Sequence, residues 1–97
     1  MIELTVASGS ITLRESIHRV DTEGDAASDD LDTIVGGWVG RTVTLFPSHT
    51  ARTVVVKDGT GNILVSGGDF SMDNTGDSIS LIFDGSNWQA QTQVAFT

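Results

Sequence analysis

Six carboxylates fall within residues 21–32: Asp21, Glu23, Asp25, Asp29, Asp30 and Asp32. Calcium binds through oxygen ligands of this kind, so the stretch is a weak candidate for a Ca²⁺ site. Its spacing is not that of an EF-hand loop, because Gly24 falls too early and no glutamate closes the run. The plainer reading is a solvated loop whose aspartates cap turns and helix ends. The chain has no cysteine, which excludes disulfides and Cys/His zinc clusters.

Nucleophilic chemistry finds less support. His18 and His49 are the only histidines, and no serine sits in a G-x-S-x-G elbow. His18, between Ile17 and Arg19 on an expected strand, reads as a packed or interface residue. His49, beside Pro47 and Ser48, reads as part of an exposed turn. Gly59-Thr60-Gly61-Asn62 has the glycines of a phosphate loop, but such a loop must open a helix and here a β run follows. It reads as a hairpin turn. Trp38 and Trp88 could each stack on a sugar ring. Trp88, at the end of a hairpin, reads instead as a core residue, whereas an exposed Trp38 would make an interface anchor. No catalytic, cofactor or firm metal residue is expected, and the chain does not read as an enzyme.

The elements that must position these groups are short strands. Ile2, Leu4 and Val6 alternate with polar residues, Ala7-Ser8-Gly9-Ser10 turns, and Ile11 and Leu13 alternate again, which predicts an opening hairpin. A short strand is expected from Ile17 to Val20, then the acidic loop, with one helical turn over residues 26–31 capped by Ser28. Residues 34–40 form a glycine-punctuated corner before a strand at Val43, Leu45 and Phe46. Residues 54–88 read as three strands joined by DGTGN, DNTGD and DGSN turns, whose Gly, Asn and Asp residues suit tight hairpins. Residues 89–97 could add an edge strand. The expected fold is a single all-β domain over residues 1–97, a small antiparallel β-sandwich or barrel.

Thirteen acidic and five basic residues give a formal net charge of −8. That argues against nucleic acid and against an anionic membrane as partners, since both attract clustered Lys and Arg. A glycine-rich β domain with no disulfide often gains stability by oligomerising, so self-association is expected. The start, MIELTVASGSITL, has neither a basic flank nor a long apolar run, which predicts no signal peptide and synthesis in a cytoplasm.

Five phrases give the chain a resemblance: VASGSITL (6–13), HRVDTEG (18–24), ASDDLDTIVGG (27–37), RTVVVKDGTGNI (52–63) and GDFSMDNTGDSISLIFDGSNW (68–88). Together they resemble a small β module of tailed-bacteriophage virion proteins, of the tail-fibre and capsid-decoration type. The resemblance implies a virion component, often a homotrimer, with no catalytic or cofactor residues to carry over. Met1 leads straight into the first strand, with no stalk sequence before it, which favours a decoration protein on the capsid surface. On that expectation the partners are copies of itself and the major capsid or another virion protein. Ile2, Leu4 and Val6 would extend a neighbouring sheet, and Ile17, Trp38, Val39 and Phe96 would make subunit or capsid contacts. The alternative is a tail-fibre or receptor-binding module recognising a host surface glycan through Trp38 and the acidic loop.

Overall fold

The computed structural model describes residues 1–96. The chain winds upward as a coil and then turns back on itself. In the first part, successive passes lay each strand beside its predecessor in the same direction. β1 (Ile2–Thr5), β3 (Ile17–Asp21) and β6 (Thr42–Pro47) pair in parallel, with Leu4 opposite Val20 and Val20 opposite Pro47. β2 (Ser10–Thr12) pairs with β5 (Thr33–Val35), and β4 (Ser28–Leu31) with β7 (Thr53–Val56), again in parallel. This is a solenoid-like arrangement with three faces.

The last strands close it. After β8 (Ile63–Leu64), β9 (Phe70–Met72) lies antiparallel on β7, and β10 (Ser78–Phe83) antiparallel on β6. β11 (Trp88–Val94) pairs antiparallel with β10 and parallel with β8. The largest sheet therefore runs β1-β3-β6-β10-β11-β8, with β1 at one edge.

Alternation of apolar and polar residues places the core. Val43 and Leu45 of β6, Val54 and Val56 of β7, and Ile79 and Leu81 of β10 all point inward and are buried. Successive side chains of a strand face opposite ways, so every second residue meets the interior. Val20, Leu31, Ile34, Ile63, Met72 and Trp88 complete the packing.

The all-β expectation holds, but the antiparallel one does not: five of the eight strand pairings are parallel. The expected opening hairpin forms only its turn. Ala7 and Ser10 exchange backbone hydrogen bonds at 2.9 and 3.0 Å, with Ser8 and Gly9 at positive φ. Beyond that turn β1 and β2 part into different sheets, because the Gly9 carbonyl accepts from the N–H groups of Asp32 and Thr33 in the next pass. The helical turn expected over residues 26–31 is instead β4. Pairing with β7 and full burial of Leu31 outweigh a local capping preference, and the only helical turn among the described residues is a 3₁₀ turn, Glu23–Asp25.

The DGTGN segment likewise makes no hairpin between β7 and β8, which lie in different sheets. Gly61 explains its course. A Cβ there would collide with the Asp32 carbonyl oxygen, so only glycine lets the loop press against that backbone. Asn62 then acts as a one-residue strand. Its side-chain oxygen accepts from Ile34 N–H and its amide donates to Ile34 O, both at 2.8 Å, while Asn62 O accepts from Trp88 N–H at 2.7 Å. Of the tail expected to run to Thr97, β11 covers Trp88–Val94, and Thr97 lies outside the described residues.

Candidate functional site

Two turns stand side by side at the β6 and β10 end of the large sheet. The first is built from residues 36–41, GGWVGR. Arg41 N–H donates to Trp38 O at 2.9 Å and Gly40 takes φ 87°, the arrangement of a type II turn with Val39 at its tip. Gly40 N–H donates to Phe83 O (2.8 Å) and Phe83 N–H to Arg41 O (2.9 Å), so the turn is tied to the end of β10. Trp38 is 62% exposed and Val39 75%. The Arg41 guanidinium lies 4.2 Å from the Trp38 ring centroid and covers one face, a cation–π contact that holds the ring in place.

The second turn spans residues 84–87 and touches the first where Gly85 faces the Val39 methyls. Asp84 holds its shape. Its carboxylate accepts from Asn87 N–H (2.7 Å), the Gln89 amide (2.9 Å) and Ser86 N–H (2.8 Å). Those donors favour the charged form and hold the Asp84 carboxyl down at about 2. The result is an open, rigid platform presenting one free indole face and Val39, with the Arg41 guanidinium anchored by bonds to Gly36 O and Glu15 O that leave some of its N–H groups over. Among the described residues no cavity opens in the surface, so a ligand would lie across this platform.

The other residues singled out in the sequence are scattered. Ile17 is exposed on β3, and Phe96 is exposed with its ring against Gly76. Ile2 and Leu4 are half-buried on the edge strand β1. Val6 is fully buried in the core, which corrects its assignment as a contact residue: the chain turns inward after β1.

The acidic residues do not gather around one point. Asp29 accepts from Glu23 N–H (2.8 Å) and Asp30 N–H (2.9 Å), Glu23 from Ser8 N–H, and Asp32 from the Thr33 hydroxyl. Asp21 pairs with Arg52 at 3.0 Å, and Arg52 also reaches Asp25 at 3.1 Å. These carboxylates satisfy turns, strand ends and a guanidinium. The group among the described residues whose metal-ligating atoms do converge is Glu3, Asp21 and His49, all within 4.8 Å of one another. Nothing in the sequence linked these three, which come from three successive passes of the coil.

His18 is wholly buried between β1 and the loop before β3. Its Nε2 accepts from the N–H groups of Arg14 (3.1 Å) and Glu15 (3.0 Å), so Nδ1 carries the proton and donates to Ile2 O at 2.8 Å. The ring is a structural bracket with both nitrogens in use.

An all-β coil closed by antiparallel strands and presenting a rigid exposed platform is a structural or binding module in class. A family model, the phage depolymerase C-terminal beta sandwich domain, matches residues 25–89. The chain belongs to this family, a tail-associated structural module of bacteriophage virions. No curated protein matches the chain. The match includes both platform turns and strands β4–β10, while Glu3 and Asp21 lie outside it. A sandwich and a virion location were both expected, but the match does not support the capsid surface or a decoration role and fits the tail alternative better.

Proposed function

We propose that the chain is a non-catalytic host-recognition module of the phage tail that binds a bacterial surface glycan across the Trp38 platform. The observation that carries this is the exposed Trp38 ring, fixed on a glycine turn with one face held by Arg41 and the other open. Sugar rings present flat C–H faces that stack on aromatic rings, and their hydroxyl and carboxylate groups accept hydrogen bonds from guanidinium N–H groups. A pre-ordered ring and turn lose little entropy on binding, which favours affinity at an open site.

Binding to an array of bacterial surface polysaccharides tests the proposal. Wild type should bind at least one class, and Trp38→Ala should bind it about tenfold or more weakly, equivalent to roughly 1.4 kcal/mol. Equal binding by both proteins would overturn the site.

A second reading has its own support in the exposed Val35, Trp38 and Val39, an apolar cluster in one stretch of chain. These residues would then form a subunit contact of the expected homotrimer. Native mass spectrometry separates the two. A trimer that Trp38→Ala dissolves would make the patch an interface; an unchanged mass with lost glycan binding would make it a recognition surface.

A further inference from the structure

We propose that Glu3, Asp21 and His49 form a divalent transition-metal site, with zinc as the fitting ion, that clips the edge strand β1 to the interior of the sheet. Glu3 comes from β1, Asp21 from the end of β3, and His49 from the loop after β6, so one ion would join three neighbouring strands of the coil. One imidazole nitrogen with two carboxylate oxygens is a zinc-type donor set, and water would complete four coordination.

The surroundings are arranged as those of a ligand set. The Ser48 hydroxyl donates to Glu3 Oε2 at 2.6 Å, leaving Oε1 without an intramolecular donor among the described residues. Thr22 N–H donates to Asp21 Oδ1 at 2.8 Å, and Arg52 Nη1 spans Oδ1 (3.3 Å) and Oδ2 (3.0 Å), which fixes that carboxylate and leaves Oδ2 a second lone pair for a metal. Hydrogen bonds of this kind from a second layer orient metal ligands and tune their basicity. The His49 ring makes no hydrogen bond among the described residues and is exposed, so it is free to turn toward the two carboxylates.

Charge points the same way. Glu3, Asp21 and Asp25 carry three negative charges against two nearby cations, Arg52 and the Arg19 that stands opposite Glu3 in the β1–β3 pairing, which leaves a net negative charge for a metal ion to offset. Arg52 holds Asp25 as well as Asp21, so it can lean toward Asp25 when a metal takes up charge on Asp21. Bonds of about 2.0–2.2 Å in a tetrahedral site place ligand atoms roughly 3.4 Å apart. Starting from within 4.8 Å, the exposed Glu3 and His49 side chains would have to close by no more than about 1.5 Å. His18 cannot compete, because both its ring nitrogens are already bonded.

The test uses untagged full-length protein and zinc chloride, followed by titration calorimetry and thermal unfolding. Wild type should take up one zinc ion and unfold at a higher temperature with zinc than after chelation. His49→Ala and Glu3→Gln, both changes at exposed side chains, should keep the wild-type circular dichroism. They should bind zinc at least about tenfold more weakly and lose the thermal shift. Absence of zinc uptake by wild type, or uptake that neither substitution weakens, would overturn the site. Neither outcome bears on glycan binding at Trp38, which lies on a different part of the surface and is measured without zinc.

Discussion

The two tryptophans show what the same side chain does in two settings. Trp88 is fully buried: its indole N–H donates to Ile34 O at 3.1 Å, and its ring meets Phe83 with centroids 5.2 Å apart. Trp38 is mostly exposed and touched chiefly by Arg41. The difference comes from the backbone beneath. Trp88 starts a strand paired on both sides, to β8 and β10, so its side chain is driven into the core. Trp38 sits in a three-glycine corner between β5 and β6 that is tied by backbone hydrogen bonds to the end of β10, so its side chain is carried outward. A large apolar ring that the fold leaves in water, on a rigid support, is the pattern expected of a contact surface.

If the interior tryptophan is purely structural, Trp88→Ala should have the largest effect of any substitution in the chain. Removing a buried aromatic side chain costs about 3–5 kcal/mol, a large part of the roughly 5–15 kcal/mol typical of a domain's whole stability. Urea unfolding should show the midpoint collapse or the protein fail to fold. A loss near 1 kcal/mol would mean that the β8–β11 side of the core is looser than its burial indicates.

The aspartates extend the contrast to charged groups. Asp77 is buried, yet its carboxylate accepts from Phe96 N–H (2.7 Å), Asp73 N–H (3.0 Å) and Asn74 N–H (3.1 Å), tying the C-terminal tail to the turn before β10. Burial pushes its pKa up, but the three backbone donors outweigh that and hold it below 3.8. A carboxyl lowered in the folded state contributes stability above its unfolded value, and that contribution is lost as pH falls through the folded value. Asp77→Asn should cost about 1–3 kcal/mol at neutral pH, because an amide N–H₂ would then face a backbone donor. Acid unfolding of the variant should also begin from a lower stability and lose less below pH 4. Equal pH profiles for the two proteins would assign the acid sensitivity elsewhere, with Asp84 the next group to examine.

Trp88→Phe sharpens the comparison at a smaller scale. It keeps most of the packing and removes the indole N–H, while Ile34 O retains its bond from the Asn62 amide. The acceptor is not orphaned, so the cost should be about 1–1.5 kcal/mol by urea unfolding, against 3–5 kcal/mol for alanine.

Much of this contrast was legible in the sequence. The turns at Ala7–Ser10 and Asp84–Asn87 follow from local Gly, Asn and Asp chemistry, and the two tryptophans were separated by their neighbours. Strand direction was not legible. Val54 and Val56 alternate inward whether their partner runs with them or against them, and parallel β4 lies more than twenty residues earlier. Local preference also misled at Ser28–Leu31, where a capping serine and acidic residues suit a helix but the pairing with β7 decides. Gly61 gave no warning either, since its close approach to Asp32 exists only once the coil is formed. For the same reason Glu3, Asp21 and His49 could not be joined from sequence.

The smallest effect on stability should come from the residue with the largest role in recognition. Trp38→Ala removes the cation–π contact with Arg41 but empties no core space, so unfolding should shift by about 0.5–1 kcal/mol or less. Fluorescence reads the same contrast without perturbing the fold. Acrylamide, which carries no charge and so is indifferent to the net −8 of the chain, should quench one population of wild-type emission readily and the other poorly. In Trp38→Ala the readily quenched component should vanish and the remaining emission, from Trp88, should lie at shorter wavelength. If the variant instead keeps an easily quenched component, Trp88 is reached by solvent and the two rings are less different than their burial implies. If the component vanishes and stability also falls by several kcal/mol, the Trp38 turn is part of the framework rather than carried on it, and glycan loss in that variant would no longer report on a binding surface.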